Sequence, residues 1–294
     1  MANKPDLVAA TAFMWRTARL LDRRRFAHLF LDGERHAVVE ALRPYQNPDG
    51  GFGNALEPDV RAPVSQPVPT WKALCILDEA GAFHDPMVTQ ACNYLLSITT
   101  TEGGVPYALP SVRDYPRAPW WEAEGEPPPA SLNPTAAIAA LLHKHHIEHP
   151  WLPTATNYCW RKLDAMDDTS AYEAYEMRAV LPFLDFVPDR QRAEQVFERI
   201  GPKILERKLV TLAPTVEEDS HSPLKFASNP NSLARRLFSD TVIEAHLDAL
   251  ASAQLEDGGW TINWLAWNPA GVFEWRGILT IEALVTLRAF GRQF

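Results

Sequence analysis

Cysteine is scarce in this chain, and nothing in the sequence pairs it. The three cysteines, Cys75, Cys92 and Cys159, are scattered over 294 residues with no Cys-x-x-Cys spacing. An odd and scattered set is typical of reduced cytosolic thiols rather than of a disulfide framework. No apolar h-region precedes the first charges, and no apolar run approaches the length of a membrane span. We therefore expect a cytoplasmic protein without a transmembrane segment.

Excess positive charge and nucleotide-binding patterns are lacking as well. The formal net charge is −9, which argues against nucleic acid and against an anionic membrane as the main partner. No Gly-rich phosphate-binding loop is present, so the use of a nucleotide is not expected. With 46% hydrophobic and 22% charged residues, the composition is that of a globular protein.

Strand-like alternation is also missing, whereas proline is abundant. The 25 prolines cluster at residues 63–69, 106–134 and 202–230, and such clusters stop helices and leave helix-like segments between them. The sequence therefore predicts an all-α protein. Helices are expected at residues 4–30, 34–45, 70–80, 86–97, 133–146, 152–166, 169–186, 190–207, 239–253 and 275–290.

Two stretches of the chain are imperfect copies of one another. Residues 46–52 read Gln-Asn-Pro-Asp-Gly-Gly-Phe, and residues 254–260 read Gln-Leu-Glu-Asp-Gly-Gly-Trp. A third, less complete copy is present at residues 101–105, and Gly50 and Gly103 are 53 residues apart. A fixed period of this size predicts a fold built by repetition.

The helices that follow these turns repeat too. Residues 70–77 resemble residues 280–287, residues 135–140 match more loosely, and each stretch begins with a threonine that we expect to cap its helix. These small, apolar helices suit an inner ring, and the more charged helices before the turns suit an outer ring. We predict a single α/α toroid over residues 1–294, with a helix in residues 1–32 packed on the barrel and a pocket in its middle.

The Gln-x-x-Asp-Gly-Gly-Trp pattern resembles the "QW" repeat of the squalene–hopene and oxidosqualene cyclases. The same α/α toroid occurs in the protein prenyltransferase β subunits. The resemblance implies a fold like the β domain of squalene–hopene cyclase, in which the glutamine and the aromatic ring tie neighbouring outer helices together. It therefore assigns residues 46–52 and 254–260 to the scaffold and not to the chemistry.

Residues 166–169, Met-Asp-Asp-Thr, resemble the Asp-x-Asp-Asp-Thr stretch at the start of an inner helix in class II terpene cyclases. The resemblance implies that Asp167 is a proton donor to an alkene and Asp168 its partner. The first acid of the pattern is missing, because Ala165 occupies its position. The alternative interpretation is that these acids cap the helix predicted at 169–186.

A rival acidic site follows the first Gly-Gly turn. Glu57 and Asp59 are close in sequence to Arg61, and this combination is typical of a general acid with an orienting partner. Glu274 and Arg276 precede the inner helix near Thr280 and are expected to be equivalent rim positions. Surface ion pairs explain both pairs equally well.

Aromatic residues form the third candidate constellation. Cation–π contacts stabilise carbocations, and stacking on sugars uses the same side chains. Packing over the barrel ends is the alternative for each ring. The candidate substrate-contacting rings are Trp120, Trp121, Trp264, Trp267 and Trp275, and the arginines that would hold a diphosphate are Arg61 and Arg276.

The predicted function is cyclisation or isomerisation of a short, apolar isoprenoid by protonation, without a metal ion or other cofactor. Asp167 is the expected donor, and Glu57 or Asp59 takes that role if residues 166–169 only cap a helix. One alternative is a non-catalytic toroid that binds a ligand or a protein. Another is a carbohydrate-active toroid that uses Glu57, Asp59 and Glu274 as acid–base groups. The oligomeric state is not predicted.

Overall fold

The computed structural model describes residues 4–214 and 220–294. Within these residues the regular structure is helical, and β-pairing is limited to isolated bridges, so the predicted all-α class is confirmed. The α-helices of this part are α1 Leu7–Thr17, α2 Leu20–Phe30, α3 Arg35–Leu42, α4 Pro67–Glu79, α5 Pro86–Ser97, α6 Leu132–Lys144, α7 Trp151–Ala165, α8 Ala174–Phe186, α9 Arg190–Glu206, α10 Pro223–Phe226, α11 Asp240–Ser252 and α12 Pro269–Ala289. None of these helices is long and apolar enough to cross a membrane.

The single helix predicted at residues 4–30 is two helices. Ala18 and Arg19 are extended, with ψ of 155° at both, and they separate α1 from α2. Asp22 at the start of α2 is fully buried and binds Arg19 at 2.8 Å and Arg25 at 3.0 Å. A buried carboxylate needs such partners, so this ion-paired cluster fixes where α2 begins.

The chain divides into two compact units. One contains residues 35–200, where α6 packs against α4, α7 and α8 and is buried along nearly its whole length. The other contains residues 1–34 and 201–294, where α12 packs against α1, α2 and α11. The prediction of a single domain over 1–294 stays a prediction.

The Gly-Gly turns have a common geometry. Gly50, Gly103 and Gly258 have φ of 89°, 95° and 96°, a region that favours glycine. A Cβ on Gly50 would lie 2.3 Å from the carbonyl oxygen of Gln90, and one on Gly258 would lie 2.1 Å from that of Ala9. Each of these two turns is therefore pressed against the backbone of a neighbouring helix, α5 for the first and α1 for the last.

The glutamines of the repeats attach the turns to those helices. The Nε2 atom of Gln46 donates to the carbonyls of Gly50 and Met87, at 3.0 and 3.3 Å. The Nε2 atom of Gln254 donates to the carbonyls of Gly258 and Asp6, both at 2.9 Å. These hydrogen bonds give residues 46–52 and 254–260 the scaffold role that the sequence predicts.

The repeated threonines do not cap their helices, and this expectation is wrong. α4 and α12 begin at Pro67 and Pro269, and proline at the first position sets the start of a helix. Thr70 and Thr280 lie inside these helices, fully buried. Their Oγ1 atoms accept the backbone N–H that follows the two glycines, at 3.0 Å for Thr70 and 3.1 Å for Thr280. Each threonine therefore joins a turn to the helix after it.

Candidate active site

The loop that leaves the first Gly-Gly turn carries two buried acids. Glu57 and Asp59 are 4% and 5% exposed. Asn54 and Ala55 before them have positive φ, and the Asn54 N–H donates to the Ala62 carbonyl at 3.1 Å. The loop therefore closes on itself and holds both carboxyl-bearing residues inside the protein.

A second segment pairs with this loop through its backbone. The Arg61 N–H donates to the Pro116 carbonyl at 2.9 Å, and the Ala118 N–H donates to the Asp59 carbonyl at 2.8 Å. Val60 and Arg117 form an isolated antiparallel bridge between these hydrogen bonds. These two backbone hydrogen bonds, one at Asp59 and one at Arg61, thus hold the backbone of Asp59 in place.

Two aromatic rings lie beside the acids. Trp121 is 1% exposed, and its ring centroid lies 5.1 Å from that of Tyr107. Burial raises the pKa of the Tyr107 phenol, and the nearby carboxylates of Glu57 and Asp59 raise it further. The phenol therefore stays neutral and lies within electrostatic reach of both acids. The structure brings together two acids, a neutral phenol and a buried indole.

The other predicted residues of this region differ in exposure. Arg61 is half-buried, whereas Trp120 is 42% exposed. Of the two adjacent tryptophans, Trp121 is thus the buried one, and its ring contacts Tyr107.

Residues 166–169 do not open a helix, so that prediction is wrong. α8 begins at Ala174, and Asp167 and Asp168 lie exposed in the loop after α7. One carboxylate oxygen of Asp167 accepts the N–H and the Oγ1–H of Thr169, at 2.8 and 2.7 Å, and these bonds lower its pKa. Asp167 is therefore ionised in water, and the dry, protonated acid that the prediction requires is not found there.

The expectation that residues 274–276 precede an inner helix is also wrong, because α12 begins at Pro269 and contains them. Glu274 is half-buried, and so is Trp267 in the preceding loop. The Trp264 and Trp275 rings meet edge to face at 5.2 Å between centroids. These residues belong to the unit of residues 1–34 and 201–294.

Arg276 stabilises the last Gly-Gly turn. Its Nη2 atom donates to both carboxylate oxygens of Asp257, at 2.7 and 2.8 Å, and its guanidinium stacks 4.6 Å from the centre of the Phe13 ring. Arg276 holds the pKa of Asp257 below its usual range. The guanidinium is engaged with the scaffold, and the diphosphate-binding role stays a prediction.

Tyr107 is the site residue that the sequence reasoning missed. It stands three residues after Gly104, directly behind the third, less complete copy of the turn. Glu57 and Asp59 likewise follow the first turn, so the sequence signal that could have found Tyr107 is its place in the segment after a Gly-Gly pair.

Among the described residues, no cluster of three or more His, Cys, Asp or Glu side chains is placed to hold a metal ion.

Comparison with curated proteins finds partial sequence similarity to squalene–hopene cyclases. That of Bradyrhizobium diazoefficiens is 32% identical over 123 residues, which is 41% of this chain and 17% of the relative. The probable squalene–hopene cyclase of Sinorhizobium fredii is 35% identical over 92 residues, 30% of this chain and 13% of the relative. The matches thus span less than a fifth of either relative. No protein-family model matches the chain.

Solved structures match over nearly the whole chain. A protein from Actinoplanes superimposes with a TM-score of 0.58 at 19% identity, over 99% of this chain and 92% of that one. The type II terpene cyclase MstE from Scytonema, bound to its substrate geranylgeranyl dihydroxybenzoate, has a TM-score of 0.51 at 16% identity, over 95% and 86% of the two chains.

The sequence and structural similarities agree with each other. The chain has the all-α toroid fold of the type II terpene cyclases, as the Gly-Gly turns predicted. The chain is thus similar to terpene cyclases in fold and, over part of its length, to squalene–hopene cyclases in sequence.

Proposed function

We propose that this protein cyclises a short isoprenoid by protonating it, with Asp59 as the proton donor. The observation that carries the proposal is the pair of buried acids, Glu57 and Asp59, next to Tyr107 and Trp121. Protonating a plain alkene needs an acid that is kept dry and holds its proton, and neighbouring buried carboxyls favour such a state in one member of the pair.

The proposed reaction begins and ends with a proton. The Asp59 carboxyl transfers its proton to the terminal double bond, whose π electrons form the new C–H bond and leave a tertiary carbocation. An internal double bond attacks this cation and closes a ring. The last cation loses a proton to a base, and Asp59 regains one from solvent, so the product is an isomer of the substrate. Trp121 and Tyr107 present π faces that stabilise the cation.

The choice of Asp59 over Glu57 has separate support. Solved structures of MstE include one variant with an aspartate replaced and another with a tyrosine replaced. These two positions are 48 residues apart in the MstE sequence. Asp59 and Tyr107 are also 48 residues apart. Those structures include the aspartate variant bound to the substrate geranylgeranyl dihydroxybenzoate. The spacing therefore supports Asp59 and Tyr107 as the acid and its companion.

Deuterium incorporation tests the proposal. The purified protein is incubated in D₂O with linear fifteen- and twenty-carbon polyprenols and with geranylgeranyl dihydroxybenzoate. We expect at least one probe to give a cyclic isomer that carries one deuterium on the carbon that was protonated. A cyclic product without deuterium would contradict initiation by protonation. Binding of a probe without any conversion would favour the ligand-binding alternative.

A further inference from the structure

One arginine organises the segment that pairs with the loop of residues 54–62, which carries Glu57 and Asp59 and is called the acidic loop. The Nη1 atom of Arg117 donates to the carbonyl of Arg113 at 3.0 Å and to that of Tyr115 at 3.3 Å. Its Nη2 atom donates to a Glu122 carboxylate oxygen at 2.6 Å. The side chain is 21% exposed. The planar guanidinium has donors in a fixed fork, so it bonds several acceptors at once in a way that an ammonium cannot reproduce.

We call residues 113–122 the strap. Its backbone meets the acidic loop at Pro116, which accepts from the Arg61 N–H, and at Ala118, which donates to the Asp59 carbonyl. The Trp121 backbone N–H donates to the Ala118 carbonyl at 3.0 Å, so the backbone that carries the indole is held at the same part of the strap. The conformation of the strap therefore determines where Asp59 and Trp121 lie relative to each other.

We propose that Arg117 is a positioning residue for the cyclisation, which acts through the strap on Asp59 and Trp121. This inference rests on the proposed function of the same site. Without the guanidinium, the carbonyls of Arg113 and Tyr115 lose their donor and the strap can relax away from the acidic loop. Displacing a reacting group by about 1 Å can lower a rate by about a hundredfold, so a small relaxation is enough to be measured.

Two substitutions separate this role from general stability. Arg117→Lys keeps the charge and an ion pair with Glu122, and it loses the fork that serves the backbone carbonyls. Arg113→Gln is the matched control, because the Arg113 side chain binds the Ala123 carbonyl at 2.9 Å and Glu126 at 2.6 Å. It reaches Glu122 only at 3.8 Å, and these contacts include none of residues 116–118. Melting temperatures establish that both variants are folded.

Steady-state kinetics with the polyprenyl probe that the wild type converts gives the first readout. For Arg117→Lys we expect kcat to fall about tenfold, KM to stay within about twofold, and the pH at which kcat is half-maximal to shift. Arg113→Gln is expected to keep kcat, KM and the pH profile within about twofold. A folded Arg117→Lys protein with the wild-type kcat and pH profile would overturn the positioning role.

Hydrogen exchange gives a second readout that needs no activity. In Arg117→Lys we expect faster exchange in peptides that cover residues 59–61 and 116–121, while α6 and the Arg113→Gln protein exchange as the wild type does. Unchanged exchange in those peptides would refute the inference even if the wild type converts a probe. If the wild type converts none, the proposed function fails and the exchange result alone decides whether Arg117 positions the loop.

Discussion

At the scale of single residues, the surroundings of each acid decide whether it is suited to protonate an alkene. Glu57 and Asp59 are buried beside Tyr107, whereas Asp167 lies in water with its pKa lowered by bonds from Thr169. An alkene is a very weak base, and an ionised carboxylate has no proton to give. We therefore propose the acids behind the first Gly-Gly turn, and not the Met-Asp-Asp-Thr stretch, as the source of the proton.

Glu176 provides a test of residue-scale electrostatics outside the candidate site. It is half-buried on α8, and burial, followed by the charge of Glu173, raises its pKa above the ordinary value of 4.5. A carboxyl whose pKa is raised on folding contributes stability that is fully present below its unfolded pKa and is lost as pH rises through the folded pKa. The Glu176→Gln variant does not lose this stability as pH rises. Its free energy of unfolding relative to that of the wild type should therefore increase from pH 4 to pH 7.

Urea denaturation at several pH values measures this difference. Glu256→Gln, at an exposed position, is measured in parallel as the control for removing one negative charge. A stability difference between Glu176→Gln and the wild type that stays constant from pH 4 to pH 7 would show that the surroundings of Glu176 do not disfavour its charge.

At the scale of elements, the Gly-Gly turns determine how successive helices are joined. In Gly258→Ala the new Cβ would lie 2.1 Å from the Ala9 carbonyl oxygen, so α1 must move. Gly291→Ala is a matched control, because Gly291 also has positive φ, 74°, and no heavy atom within 4 Å of the added Cβ. We expect a loss of about 1–2 kcal/mol for Gly291→Ala from backbone strain and of about 4 kcal/mol or more for Gly258→Ala.

The free energy of unfolding in urea, measured for both variants and the wild type, checks this prediction. Equal losses would mean that positive φ alone explains the glycines and that the contact of the last turn with α1 contributes nothing. A larger loss for Gly258→Ala would establish that contact as part of the scaffold.

The sequence predicted the elements better than it predicted their ends. Most helices and all three turns were found because glycine, proline and apolar periodicity act locally. The start of α12 was placed too late, although Asn268 caps it and Pro269 begins it, because Gly271 and Gly277 weaken the helical pattern. Asp167 was misplaced because the same Asp and Thr pattern that caps a helix also closes a loop on itself.

The candidate site was predicted in part. Glu57, Asp59 and Trp121 were found as residue types suited to the chemistry, although the sequence did not show that they lie together. Tyr107 was missed because its proximity to the acids depends on a pairing between segments some 50 residues apart in the chain. Such long-range contacts are fixed by the packing of several helices, and the repeated Gly-Gly pairs mark the two segments without showing that they meet.

At the scale of the whole molecule, fold and function rest on different observations. The fold follows from structural similarity over 95% or more of the chain. A fold that is shared at only 16% identity does not by itself carry an activity. The proposed reaction is therefore argued from the side chains within residues 35–200. The squalene–hopene cyclases that match in sequence are several times longer than the matched segment, so their own activity does not transfer as a whole.

The most direct test of the central claim is the cyclisation rate of Asp59→Asn beside that of Glu57→Gln, with the probe that the wild type converts. Asparagine has nearly the shape of aspartic acid and no proton to give, so we expect the rate to fall about a thousandfold while the probe still binds. Glu57→Gln is expected to keep measurable activity with a shifted pH profile. An Asp59→Asn protein that cyclises the probe at the wild-type rate would contradict the proposal that Asp59 is the proton donor.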